Sequence, residues 1–150
     1  MSPARPTLNG SDELMSFEAF LRRFEDANTA FVNGDVSLWL PLVSRSEQTS
    51  IFGGFGGQEV GWSQIGRRYE WASAQFAPSG AKVEFEYLDR HAGSDTAYTV
   101  AIERCTVRYV DRPGEHEHVL RTTMVFRKEG DDWFIVHRHG DPLSPTAPPA

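Results

Sequence analysis

What this chain of 150 residues lacks narrows it first. It has one cysteine, Cys105, so no internal disulfide can close, and no spacing resembles a zinc–cysteine site. Positive charge is scarce: 15 Lys and Arg against 21 Asp and Glu leave a net charge of −6. That balance argues against a nucleic-acid partner, which is held by neutralising phosphates. No apolar run approaches the roughly 18–20 residues of a membrane span. The opening MSPARPTLNG carries no apolar stretch of the kind a secretory signal needs, which with the lone Cys fits the cytoplasm. Cofactor motifs are missing too. The loop Gly53-Gly-Phe-Gly-Gly57 lacks both the Gly-Lys-Ser/Thr ending of a P-loop and the dinucleotide fingerprint.

Aromatic rings are what the chain has in quantity: ten Phe, four Trp and four Tyr. They imply a thick core, a ligand cavity, or both. The length fits a single domain, large enough to fold without a metal or disulfide. Residues 1–10 read as a lead-in and 11–142 as the domain. Residues 143–150 read as a disordered Pro-rich tail, in a stretch with four prolines after Asp141.

Phe17, Phe20, Leu21, Phe24, Ala27 and Phe31 recur at helical spacing, and Asn33-Gly34 ends that helix. A short second helix carries Leu38, Trp39, Leu40 and Leu42; a third runs from Trp62 towards Phe76. After a short strand at 48–52, everything beyond Pro78 is strand-like, in four runs joined by tight turns. Helices followed by a meander make an α+β domain with helices on one sheet face. Strict alternation puts Trp133, Ile135, His137, His139 and Asp141 on one face of the last strand, with Phe134, Val136 and Arg138 on the other.

This order of elements resembles the nuclear transport factor two-like superfamily, in its SnoaL-like and ketosteroid-isomerase-like branch. The strongest likeness is Arg121-x-Thr123, a charged turn, then Trp133-x-Ile-x-His137-x-His139. Asn33-Gly34-Asp35 and the Gly53–Gly57 loop support it. The resemblance implies a cone-shaped, cystatin-like fold, a curved antiparallel sheet wrapped around three N-terminal helices with a pocket at its open end. It also implies a homodimer through the outer sheet face. That superfamily hosts isomerases, cyclases, hydratases and non-catalytic modules, so function must be argued from the site. The aspartate–tyrosine–acid constellation of steroid isomerases has no recognisable counterpart here.

His137 and His139, two apart on a strand, sit roughly 6.5–7 Å from one another and titrate near neutrality. Either could move a proton, with Asp141 or Glu103 orienting it; the alternative is a packed or ligand-bonding ring. Glu103 and Arg121 lie mid-strand, where charges are buried only when paired. Facing inwards, they form an ion pair or hold a polar ligand, and Arg121 resembles the pocket arginine of the calcium/calmodulin-dependent kinase association domain. Thr123 shares its face. Trp39, Phe52, Phe55, Trp62, Tyr69 and Tyr98 are expected to wall an apolar pocket. His116 and His118 have chelating spacing but no third ligand, so they read as a solvated hairpin, and Cys105 reads as a small buried side chain. The expectation is a pocket protein for a small, partly apolar, anionic or carbonyl-bearing molecule. It works without cofactor or metal, either as a general acid–base enzyme or as a non-catalytic binding or association module.

Overall fold

The apolar stripe read from the sequence becomes one long helix. In a computed structural model describing residues 10–148, α1 spans Gly10–Phe31. Phe17, Phe20, Leu21, Phe24 and Ala27 are all buried along it. Burying each large side chain is worth about 1.5–3 kcal/mol, which fixes the helix against the sheet. Gly34 stops α1 with a φ of 88°. Asn33 ties that end down, donating to the Ala81 carbonyl and accepting from the Ser79 and Ala81 amides. The expected second helix is only a 3-10 turn, Leu40–Leu42, since Pro41 removes a backbone donor. The remaining helix, α2, spans Trp62–Ala74.

The described residues form seven strands: β1 (Ser50–Phe52), β2 (Glu59–Val60), β3 (Phe76–Ala77), β4 (Glu84–Ala92), β5 (Thr96–Tyr109), β6 (Glu115–Glu129) and β7 (Asp132–Pro142). They form one sheet in the order β2-β1-β7-β6-β5-β3, with β4 also paired to β5. The result is the cone-like α+β fold, with the sheet curled around the helices. The sheet is mixed: β1 runs parallel to β7, and the meander is antiparallel. The core is aromatic, with Phe17 packed edge-on against Phe126 at 5.1 Å and Trp133 at 5.3 Å.

Two β-bulges decide which side chains face inwards. In β7, Val125 opposes His137 while Phe126 opposes Ile135, leaving Val136 as an extra residue. The inward set therefore changes phase, from Trp133 and Ile135 to Arg138 and Gly140. The uninterrupted alternation expected from the sequence is corrected here: His137, His139 and Asp141 point out of the cone. In β4 the register shifts between Tyr87 and Asp89, and Leu88 is thrown outwards, 62% exposed.

Residues 1–9, most of the expected lead-in, and 149–150, the end of the expected tail, lie outside the described residues. Leu143 still bonds the Val119 carbonyl, and residues 144–148 form no regular element. No helix is long and apolar enough to cross a membrane among the described residues.

A candidate binding cavity in the cone

An interior cavity of about 60 Å³ lies between α1, α2 and the inner face of β5–β7. A water needs roughly 10–15 Å³ on this measure, so the space suits a few waters or one small molecule. Apolar side chains form most of its wall, Phe31, Trp39 and Phe76 among them, with Phe55 reaching in from the glycine loop. Phe55 packs on Phe76, Trp71 and His118, so the loop closes one side of the cavity.

The polar floor is an ion pair. Arg138 donates to both carboxylate oxygens of Glu103, at 2.9 and 2.7 Å, and Asn28 donates to the same carboxylate at 2.9 Å. Burial alone would raise Glu103, but the Arg138 guanidinium and the Asn28 amide hold it below its usual value. Burial likewise works against the charged Arg138, and Glu103 outweighs it. Both groups therefore stay charged and neutralise one another, while Arg68, which also lines the cavity, lies 3.7 Å from the Glu59 carboxylate.

Trp39 Nε1 and the Tyr69 hydroxyl are buried donors without a hydrogen-bond partner, and both residues line the cavity. Their rings lie 5.3 Å apart. Burial raises the Tyr69 phenol. Arg138 and the nearby Trp39 N–H oppose that shift, although the indole does not reach hydrogen-bond geometry.

His118 is a further titratable group in the wall. Its Nδ1 shares a 2.9 Å hydrogen bond with the Tyr109 hydroxyl, and the residue lines the cavity. Desolvation, then Arg138, push its pKa down to about 4, so the ring is neutral at pH 7. Cys105 opposes His118 across the ladder, and burial raises its thiol to about 12, which makes it inert.

Of the catalytic and ligand-binding residues expected from the sequence, Glu103, Trp39, Tyr69 and Phe55 line this cavity. The other expected site residues do not. Arg121 lies outside and clasps Asp141 through two bonds of 2.8 Å, because its neighbours Leu120 and Thr122 take the inner face. Thr123 shares that outer face. His137 bonds the Ser50 hydroxyl at 2.7 Å, and Phe52 packs edge-on against His137 and His139, all on the outside. Tyr98 faces out and donates to Asp89. Trp62 supports the Arg45 guanidinium, 3.3 Å above its ring.

Three residues escaped sequence reasoning. Asn28 carried a signal: it lies one helical turn after Phe24, a polar residue inside an apolar stripe. Arg138 had none, because the Val136 bulge reversed its face. His118 was read as solvated, yet it packs between Phe55, Phe76 and Tyr109.

Comparison with known proteins now places the chain. The family model described as SnoaL-like domain matches residues 20–145. The chain belongs to the SnoaL-like domain family. No curated protein matches the sequence. Among solved structures, a nuclear transport factor 2-like superfamily protein from Salmonella enterica serovar Typhimurium aligns with TM-score 0.76 and 21% identity, over 93% of this chain and 96% of that one. A ketosteroid isomerase-like protein from Erwinia carotovora aligns with TM-score 0.71 and 15% identity, over 89% and 98%. The calcium/calmodulin-dependent kinase II association domain of Caenorhabditis elegans gives TM-score 0.61 and 16% identity, over 88% and 98%. At these identities the likeness shows the fold alone.

Proposed function

We propose that this SnoaL-like chain binds a small, mostly apolar, neutral molecule by a carbonyl or hydroxyl oxygen inside the cone. The observation that carries this reading is the pair of buried donors, Trp39 Nε1–H and Tyr69 O–H, without an acceptor in one cavity wall. A buried polar group left unpaired costs about 1–3 kcal/mol, and a ligand oxygen would recover that cost. The rings around the donors supply the apolar grip. A carboxylate ligand is disfavoured, because Arg138 is already neutralised by Glu103, and Arg68, the other cation in the wall, is paired with Glu59.

Thermal denaturation in the presence of cyclohexanone and of methylenecyclohexane, the same shape without the oxygen, tests this. Cyclohexanone is expected to raise the midpoint, and Tyr69→Phe or Trp39→Phe to abolish the rise. Equal effects of the two compounds, or no effect of either, would overturn the reading. Stabilisation by cyclohexanecarboxylate alone would replace it with an anion site.

A second proposal concerns the outer face, where the β4 bulge leaves Leu88 exposed above a groove with Val100 and Ile102. This apolar surface supports a homodimer packed through the sheet. Sedimentation equilibrium is expected to give a dimer for the native chain and a folded monomer for Leu88→Asp. A native monomer at tens of micromolar would exclude it.

A further inference from the structure

A molecule reaches the cavity by passing its wall, and one stretch of that wall is fastened differently from the rest. Most wall residues sit on α1, α2 and the strands, held by helix or ladder hydrogen bonds. Val32, Trp39 and Val83 lie between elements, but their own amides tie them to Asn28, Val36 and Thr29. Gly53, Gly54 and Phe55 belong instead to the 53–57 loop, beyond the short β1–β2 pairing. That loop turns on itself, the Gly56 amide bonding the Gly53 carbonyl at 2.9 Å. Side chains hold it against the body. The Phe55 ring lies edge-on to Trp71 at 5.4 Å and to Phe76 at 5.9 Å, and Arg68 on α2 donates to the Gly56 carbonyl at 3.2 Å. Arg68 is itself stacked 4.4 Å above Trp71. Glycines flank Phe55 on both sides, and Gly56 has a φ of 91° with open space around its Cβ position, so the backbone there can turn with no side chain in the way.

We propose that the Phe55 loop is the gate of the cavity: its ring is a plug that swings away from Trp71 and Phe76 to admit a ligand, and Arg68 is the latch. Opening here breaks one hydrogen bond to a backbone carbonyl and the contacts of one half-buried ring, whereas opening at a helix or strand breaks a run of backbone bonds. The gate does not depend on which molecule the cavity takes, so it stands apart from the carbonyl reading above. Once the ring returns, a ligand inside is closed off from water, which strengthens its hydrogen bonds to the wall.

Trp39 offers a reporter that needs no ligand. Its indole N–H is buried without a hydrogen-bond partner, so exchange with D2O waits on solvent entry rather than on breaking a bond. Trp133 is the internal control: its Nε1 is equally buried and unpaired, but it packs on Phe17 in the core and does not line the cavity. Exchange of both indoles is followed by nitrogen-15 NMR on the full-length protein, with Trp39→Phe and Trp133→Phe assigning the two signals. Phe55→Ala is expected to speed Trp39 exchange roughly tenfold or more, the scale of a lost aromatic contact, and to leave Trp133 as it was. Arg68→Met keeps the plug and removes only the latch; it is expected to speed Trp39 exchange several-fold, which a ring that merely fills space would not show. Trp39 exchange unchanged in both variants, or accelerated together with Trp133, overturns the gate. So does a native Trp39 that exchanges as fast as free indole. Failure of cyclohexanone to bind would overturn the carbonyl reading and leave this outcome intact.

Discussion

Arg138 on β7 reaches across β6 to grip Glu103 on β5, through hydrogen bonds of 2.7 and 2.9 Å, with only 11% and 6% of the two side chains exposed. Met124 on the intervening strand lies beneath, its sulfur 3.3 Å from the guanidinium. The pair links three strands to α1 through Asn28, so it joins the two layers of the fold at the cavity floor.

Removing one partner leaves a buried charge without compensation, which typically costs about 3–5 kcal/mol. Glu103→Gln and Arg138→Met are each expected to lose stability on that scale in urea denaturation. The double variant Glu103→Leu with Arg138→Met removes both charges and is expected to be more stable than either single variant. A double loss equal to the sum of the singles would mean that the two groups act independently.

That pair also marks the boundary of what the sequence could tell. Helical spacing of Phe17, Phe20, Leu21 and Phe24 was sufficient to find α1 and its buried face. Period two does hold along β5 and β6, where Ala101, Glu103 and Cys105 face Thr122, Leu120 and His118 across the ladder, although the pocket expected Arg121, Thr123 and Tyr98 from the opposite face. The same rule misplaced β7 beyond Ile135, because a bulge adds one residue without any distinctive residue type to announce it. His137, His139 and Asp141 exchanged faces with Arg138 for that reason alone. Long-range placement was also invisible locally: only the curl of the sheet brings Asn28, seventy-five positions earlier, onto Glu103.

Gly34 provides a test of how α1 is ended. Its φ of 88° is in the left-handed region, and a Cβ there would sit 2.7 Å from the Phe76 carbonyl oxygen. Gly34→Ala is expected to cost more than the about 1–2 kcal/mol of the left-handed conformation alone, because that backbone oxygen cannot easily move aside. Gly80, with a φ of 73° and nothing within 4 Å of its Cβ position, is the control. Urea denaturation should show Gly34→Ala losing clearly more than Gly80→Ala. Equal losses would mean that the β3 backbone yields at little cost.

His118 makes stability depend on pH in a predictable direction. The ring has an ordinary value of 6.5 and is pushed down to about 4 in the folded chain, chiefly by desolvation. Between those values the unfolded chain binds the proton and the folded chain does not, so acid favours unfolding. Stability is therefore expected to fall as pH drops from about 6.5 to about 4, by at most about 3 kcal/mol from this residue. Urea midpoints at pH 7, 5.5 and 4.5 measure the slope. His118→Gln should flatten it; an unchanged slope would assign the acid sensitivity to other groups.

Tyr69 separates folding from binding most directly. Its hydroxyl is buried without a partner in the cavity wall, so the free protein gains nothing from it. Replacing it by hydrogen keeps the ring contacts with Phe31 and Trp39 and removes an unpaired polar group. Tyr69→Phe is therefore expected to be as stable as the native chain, or more stable by up to about 1–3 kcal/mol, in urea denaturation without ligand. The same variant should lose its response to cyclohexanone. Tyr69→Ala, which removes the ring as well, should lose about 3–5 kcal/mol. A destabilised Tyr69→Phe would mean that the hydroxyl is already satisfied in the free protein, and the donor pair would then no longer call for a ligand oxygen.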